Sequence, residues 1–237
     1  MYMKQLLSTW SAKTRQINYL KVLVYIGAIT PLIWLMWAYL SNNLTVNPIQ
    51  AATQRTGNYA LIFLTLALSV TPVNIITGYK QIITVRRTLG LFAFFYAAFH
   101  FAIFVGLDYG FEWSYVIPEL FEKRYTIVGF LAGFILLLLA ITSFRWWMKR
   151  LGKNWKKLHK LVYLAGILVI VHFAWAKKGD IFRLSGDIGK PLLFGSIILI
   201  LLILRIPAVR KWIIATRRRL FQYRNNSNKS APTSPNT

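Results

Sequence analysis

Six largely uncharged apolar segments, each near the ~20 residues that a helix needs to cross a hydrocarbon core, constrain this chain more than any other feature. They fall at about residues 17–40, 57–78, 88–107, 125–147, 158–176 and 191–206. Inside lipid no water can satisfy backbone N–H and C=O groups, so open segments of this kind must be helical. The expected fold class is therefore all-α, an integral membrane six-helix bundle. The first segment is too long for the core of a signal peptide and is not followed by a small-residue cleavage site, so it reads as a retained span. Pro31 and Pro72 lie inside spans, where they kink a helix without ending it.

Composition closes off the soluble alternatives. The chain of 237 residues is 56% hydrophobic, with a mean hydropathy of +0.48, yet it holds 29 Lys+Arg against 6 Asp+Glu. A nucleic-acid binder this basic would not carry uncharged runs of membrane-spanning length. The charge is instead a topology signal. With six spans and a cytoplasmic N-terminus, 22 of the 29 Lys and Arg fall on the inner side, as the positive-inside rule requires. All six acidic residues, Asp108, Glu112, Glu119, Glu122, Asp180 and Asp187, fall in the two later outer loops. Residues 1–16 are expected as a cytoplasmic N-terminal segment, 17–206 as the transmembrane domain, and 207–237 as a basic cytoplasmic tail, disordered over its Asn/Ser/Pro-rich end. No nucleic-acid partner is expected; membrane lipid is. No internal repeat is legible, and Gly129 with Gly133 reads as a G-x-x-x-G packing motif.

The three histidines carry the chemistry. Ionisable side chains within a membrane are costly and mark function. His100 lies in the outer half of the third span and His172 near the outer end of the fifth, so the two share a depth. Two neutral imidazoles on facing helices can fill both axial positions of an iron porphyrin. With no Cys in the chain, iron–sulfur clusters and covalent c-type haem are excluded. No Asp or Glu lies in any span to build a proton relay, which disfavours a transporter.

His159 stands 13 residues before His172, roughly 20 Å along a helix, at the inner mouth of the bundle. On a straight helix the two side chains would point about 140° apart, which calls for a bend near Gly166. Thirteen and fourteen residues before His100 stand Arg87 and Arg86, where a symmetric second site would want another His. These arginines suit a haem propionate or a flavin phosphate. Three roles for His159 stay open: a second haem with a weak or missing sixth ligand, a quinone or flavin contact, or a hydrogen bond at the interface.

The run Arg150-Leu151-Gly152-Lys153-Asn154-Trp155, continuing through Leu158-His159-Lys160-Leu161-Val162-Tyr163-Leu164 to His172-Phe173, resembles the MsrQ (YedZ) haem-binding membrane subunits. Pro31-Leu32, Asn47-Pro48, Thr56-Gly57, Thr71-Pro72 and Arg86-Arg87-Thr88-Leu89-Gly90 keep the same order. The resemblance implies a ferric-reductase-like transmembrane domain in a bacterial inner membrane, with both termini cytoplasmic. It implies haem b, one or two, ligated by His100, His159 and His172, together with FMN. Electrons would pass from the quinone pool, or from a flavin reductase, to a periplasmic MsrP-like molybdenum-cofactor reductase that repairs methionine sulfoxide. Where the family commonly shows Arg-Pro-Tyr, this chain has Lys123-Arg124-Tyr125. A stand-alone ferric-reductase-like cytochrome fed by a separate flavoprotein is the alternative, and a transporter without redox chemistry the third.

Overall fold

The computed structural model describes residues 2–177 and 187–229, and every described element is helical. In chain order these are α1 (Tyr2–Leu40), α2 (Pro48–Thr77), a 3-10 turn (Lys80–Val85), α3 (Arg86–Ile103) with a π-helical extension (Phe104–Asp108), α4 (Trp113–Glu122), α5 (Arg124–Ile141), α6 (Arg145–Leu151), α7 (Lys153–Leu158), α8 (Leu161–Ala176), α9 (Gly189–Ile203) and α10 (Pro207–Lys229). Five spans are long and apolar enough to cross a membrane: Tyr19–Leu40, Pro48–Thr77, Lys80–Asp108, Arg124–Ile141 and Lys153–Ala176. The bent pair Gly189–Ile203 and Pro207–Arg219, meeting at 77°, makes a sixth candidate if it counts as one span. The protein is a multi-pass membrane bundle.

Local chemistry sets the helix ends. The Asn47 side chain accepts from the Gln50 amide at 3.0 Å and Pro48 occupies the first turn, where its missing N–H costs nothing. At the other end of α2, Gly78 takes φ 77°, and its N–H closes on Asn74. The fourth span stops at Ile141, earlier than the expected 147. Thr142 Oγ1 donates to the Leu138 carbonyl at 2.6 Å and Ser143 Oγ to that of Leu139 at 2.7 Å, so hydroxyls take up the last turn. Trp146 and Trp147 follow on the separate short helix α6.

Two further differences from the sequence reading concern the fifth span and the tail. The fifth span breaks at His159–Lys160, between α7 and α8, while Gly166 lies within α8 against Leu68. The backbone of α10 stays helical through Lys229, so residues 225–229, expected as disordered, form its last turn; residues 230–237 lie outside the described residues.

The core runs along α2, with Leu61, Leu64 and Leu68 facing Ala93 and Tyr96 of α3, Leu136 of α5, Ala165 of α8 and Ile198 of α9. Tyr96 is fully buried, stacked on Phe63 at 5.3 Å, and its hydroxyl donates to the Ala28 carbonyl. Outward-facing Leu23, Ile26, Leu131, Leu193 and Leu199 remain exposed, the apolar exterior that lipid requires. Pro72 removes the helix bond to the Leu68 carbonyl. The guanidinium of Arg205, arriving just beyond α9, donates to that carbonyl instead.

Candidate functional site

α2 packs most extensively on α3, and α5 on α8, so two helix pairs form the heart of the bundle. His100 sits in the last turn of α3 and His172 in the last turns of α8, and their ring centroids lie 6.1 Å apart with planes at 80°. The shared depth expected from the sequence is therefore realised as direct apposition. His100 Nδ1 lies 2.8 Å from the carbonyl of Thr53, and His172 Nδ1 lies 2.8 Å from that of Tyr125. A carbonyl only accepts, so both Nδ1 atoms carry the hydrogen. Each neutral ring then keeps its lone pair on Nε2, the tautomer of a metal-binding imidazole steered by a backbone carbonyl.

The same geometry recurs in both pairs. Each histidine bonds a carbonyl 47 residues earlier. Each also rests against a glycine 43 residues earlier, His100 on Gly57 and His172 on Gly129. A step of 72 residues carries Thr53, Gly57 and His100 onto Tyr125, Gly129 and His172. The bundle thus holds a structural repeat that the sequence does not display. Gly129 gives room to the His172 ring, whereas nothing lies within 4 Å of a Cβ built at Gly133. The expected G-x-x-x-G is in this respect a seat for an imidazole.

A cavity opens beside the rings, lined by Gly57, Asn58, Leu61, Val169 and Phe173 with both histidines. The arrangement fits an iron porphyrin: two imidazoles across one metal ion, at about 2 Å per metal–nitrogen bond, place their ring centres about 6 Å apart. Among the described residues no three His, Asp or Glu cluster into a cage for a bare ion. A macrocycle that supplies four ligands itself needs no more than the pair. Of the aromatics on the two helices that carry these histidines, Phe173 lines the cavity, Tyr96 belongs to the core, and Phe101 packs on Phe104 and Phe130.

His159 lies apart from this pair, at the other end of α8. Its ring packs on Trp155 at 4.1 Å between centroids, and its Nε2 stands 3.2 Å from Thr142 Oγ1. That hydroxyl donates to Leu138, so it accepts from His159. His159 thus carries its hydrogen on Nε2 and its lone pair on Nδ1, opposite to the other two. The 72-residue step takes His159 onto Arg87 and Thr142 onto Val70, so the repeat is broken at this end. Arg86 and Arg87 are both exposed; Arg86 reaches Thr71 Oγ1 at 3.4 Å.

The loop after α3, expected as loop throughout, contains α4 with four of the acidic residues on or near it. Glu119 pairs with Lys123 and bonds Tyr109. The Glu119 contact holds the Lys123 amine above its ordinary range, and burial followed by the Glu119 charge raises the Tyr109 phenol. Asp180 lies outside the described residues.

The residues that sequence reasoning passed over are the carbonyls of Thr53 and Tyr125, the seats Gly57 and Gly129, and Arg205 with Tyr163. Equal spacing from each histidine was the available signal for the first four.

Residues 56–170 match the ferric reductase like transmembrane component family. The chain is 36% identical over 194 residues to the protein-methionine-sulfoxide reductase heme-binding subunit MsrQ of Bordetella pertussis, covering 82% of this chain and 92% of that protein. It is 39% identical over 188 residues to MsrQ of Xanthomonas euvesicatoria pv. vesicatoria, covering 77% and 83%. With MsrQ of Herminiimonas arsenicoxydans it shares 37% over 199 residues, covering 84% and 89%. With its paired helix hairpins and two facing histidines, this chain belongs to the MsrQ family of ferric-reductase-like membrane proteins.

Proposed function

We propose that this chain is a b-type haem membrane subunit that carries electrons to a methionine-sulfoxide reductase. The observation that carries the reading is the His100–His172 pair, 6.1 Å apart with both Nδ1 atoms held by carbonyls. When bound, haem supplies a one-electron couple within the bundle. The chain's own work is to fix both tautomers, to hold the rings at the distance of one iron, and to surround them with apolar helix. The two backbone carbonyls make the imidazoles better donors.

The orientation in the membrane follows from charge. The His159 end, rich in Lys and Arg, is the cytoplasmic face, and the His100–His172 end faces the periplasm of a bacterial inner membrane. Electrons enter at the His159 end from quinol, or through FMN from a flavin reductase, and leave toward an exported MsrP-like molybdenum-cofactor reductase. Sulfoxide chemistry belongs to that partner. His159, with Arg86 and Arg87 on the same side, marks the second redox position, where arginine meets a propionate or a flavin phosphate.

A reduced-minus-oxidised spectrum of the purified protein, with pyridine-haemochrome analysis, tests the reading. Haem b with a low-spin signal is expected. His100→Ala or His172→Ala abolishes that signal, and His159→Ala spares it. A colourless protein from haem-replete cells refutes the proposal, and equal loss in all three variants refutes the division between the two ends.

A further inference from the structure

The cavity beside the histidine pair has a graded lining. Leu61 of α2 and Val169 of α8 lie deeper in the bundle than the rings, whereas Gln54 of α2, with Ala176 and Lys177 at the end of α8, lies toward the outer mouth. The order follows from helix direction, since α2 runs inward from Pro48 and α8 runs outward to Ala176. Gln54 and Asn58 both bring amide N–H donors to the lining. Among the described residues that line the cavity, Lys177 alone carries a fixed charge. Neither the imidazoles nor their glycine seats need a cation there.

The lysine is well placed and loosely engaged. Its backbone N–H closes the end of α8 on the Phe173 carbonyl at 3.1 Å, which ties its stem to the helix that carries His172. Its Nζ stands 3.7 Å from Asp187 Oδ2, beyond hydrogen-bond range, and the Asp187 side chain is 65% exposed against 28% for Lys177. An ion pair of that kind contributes little.

Two imidazoles facing one iron set a porphyrin plane between α3 and α8, with one edge toward the apolar depth and another toward the mouth. A b-type haem carries two propionates, and ionised carboxylates are costly among apolar side chains and favoured beside a cation and amide donors. We infer that Lys177 binds a haem propionate at the outer mouth of the cavity, with Gln54 and Asn58 as amide donors, and so fixes which edge of the macrocycle faces outward. This rests on the haem reading above and adds a positioning residue to it. A positive charge also favours the state with the extra electron, so Lys177 raises the midpoint potential of the haem it holds.

The test titrates the full-length apo-protein in detergent with haem b and, separately, with its dimethyl ester, in which both propionates are masked. Low-spin absorbance reads occupation of the His100–His172 pair. The wild type is expected to bind haem about tenfold more tightly than the ester, the difference that a charge-assisted hydrogen bond makes. Lys177→Gln loses that preference and has a lower midpoint potential, and Lys177→Arg keeps both. Should Lys177→Gln fail to fold, Lys177→Met, which keeps an apolar stem, is read in the same way. Asp187→Asn retains the preference. A wild type that binds haem and ester alike overturns the inference, as does a Lys177→Gln chain that still discriminates. An Asp187→Asn chain that loses the preference also overturns it, because the lysine then acts only as a tether to the segment before α9. In each of those cases low-spin haem persists and the haem reading stands, whereas a wild type without low-spin haem defeats both.

Discussion

Gly129 offers the sharpest test of how the histidine pair is held. A Cβ added there lands 2.5 Å from His172 Nδ1 and 2.7 Å from Cε1, inside any tolerable contact. At Gly57 the corresponding approach to His100 is 3.2 Å, which asks the ring to give by a few tenths of an ångström. Alanine in a helix gains roughly 0.5–1 kcal/mol over glycine in either place. At Gly57 that gain offsets the mild crowding, and Gly57→Ala is expected to keep haem content close to wild type. At Gly129 the ring must move by about 1 Å, at an overpacking cost of about 1–3 kcal/mol. The displaced Nδ1 also leaves the Tyr125 carbonyl, which adds about 1 kcal/mol. The net penalty of about 1–3 kcal/mol corresponds to a fall of roughly 5- to 150-fold in haem affinity.

The assay is haem titration of the apo-protein in detergent, followed by the low-spin absorbance and by haem per polypeptide. Gly129→Ala is expected to bind weakly or to give a high-spin spectrum, with helical circular dichroism retained. Wild-type affinity in Gly129→Ala, or a larger loss in Gly57→Ala, would refute the argument that these glycines seat the rings.

Imidazole planes at 80° leave the two iron dπ orbitals nearly degenerate, so the oxidised protein should give a strongly anisotropic low-spin electron paramagnetic resonance signal. A rhombic signal typical of parallel planes would contradict the ring orientation. Tyr96→Phe removes a buried hydroxyl that bonds the Ala28 carbonyl, and should cost about 1 kcal/mol in detergent unfolding without shifting the haem spectrum. Asn47→Ala removes the cap of α2 and should destabilise by about 1 kcal/mol, measured in the same way.

The spans, the helical class and the three histidines were legible because each depends on local composition. Hydrocarbon admits only helices, and an imidazole in an apolar run is conspicuous without any fold. The common depth of His100 and His172 also followed from counting along helices of fixed rise. Helix ends were less accessible: the hydroxyls of Thr142 and Ser143 stop α5 six residues before the apolar composition does. The bend in the fifth span was required by phase arithmetic yet placed at Gly166, whereas the chain breaks at His159–Lys160.

By itself the sequence determined that this is a membrane bundle with histidines at two levels, since hydrophobicity and helix rise act residue by residue. Only the tertiary structure decided which nitrogen of each ring is free, because Thr53, Tyr125 and Thr142 reach their histidines from other helices. The same holds for the 72-residue repeat: beyond one glycine and one histidine its halves share contacts and spacing, and contacts exist only once α2 meets α3 and α5 meets α8. Arg205 makes the point for charge, since its partners Leu68 and Tyr163 are 137 and 42 residues away. Interactions of that separation are set by packing, and no local pattern records them.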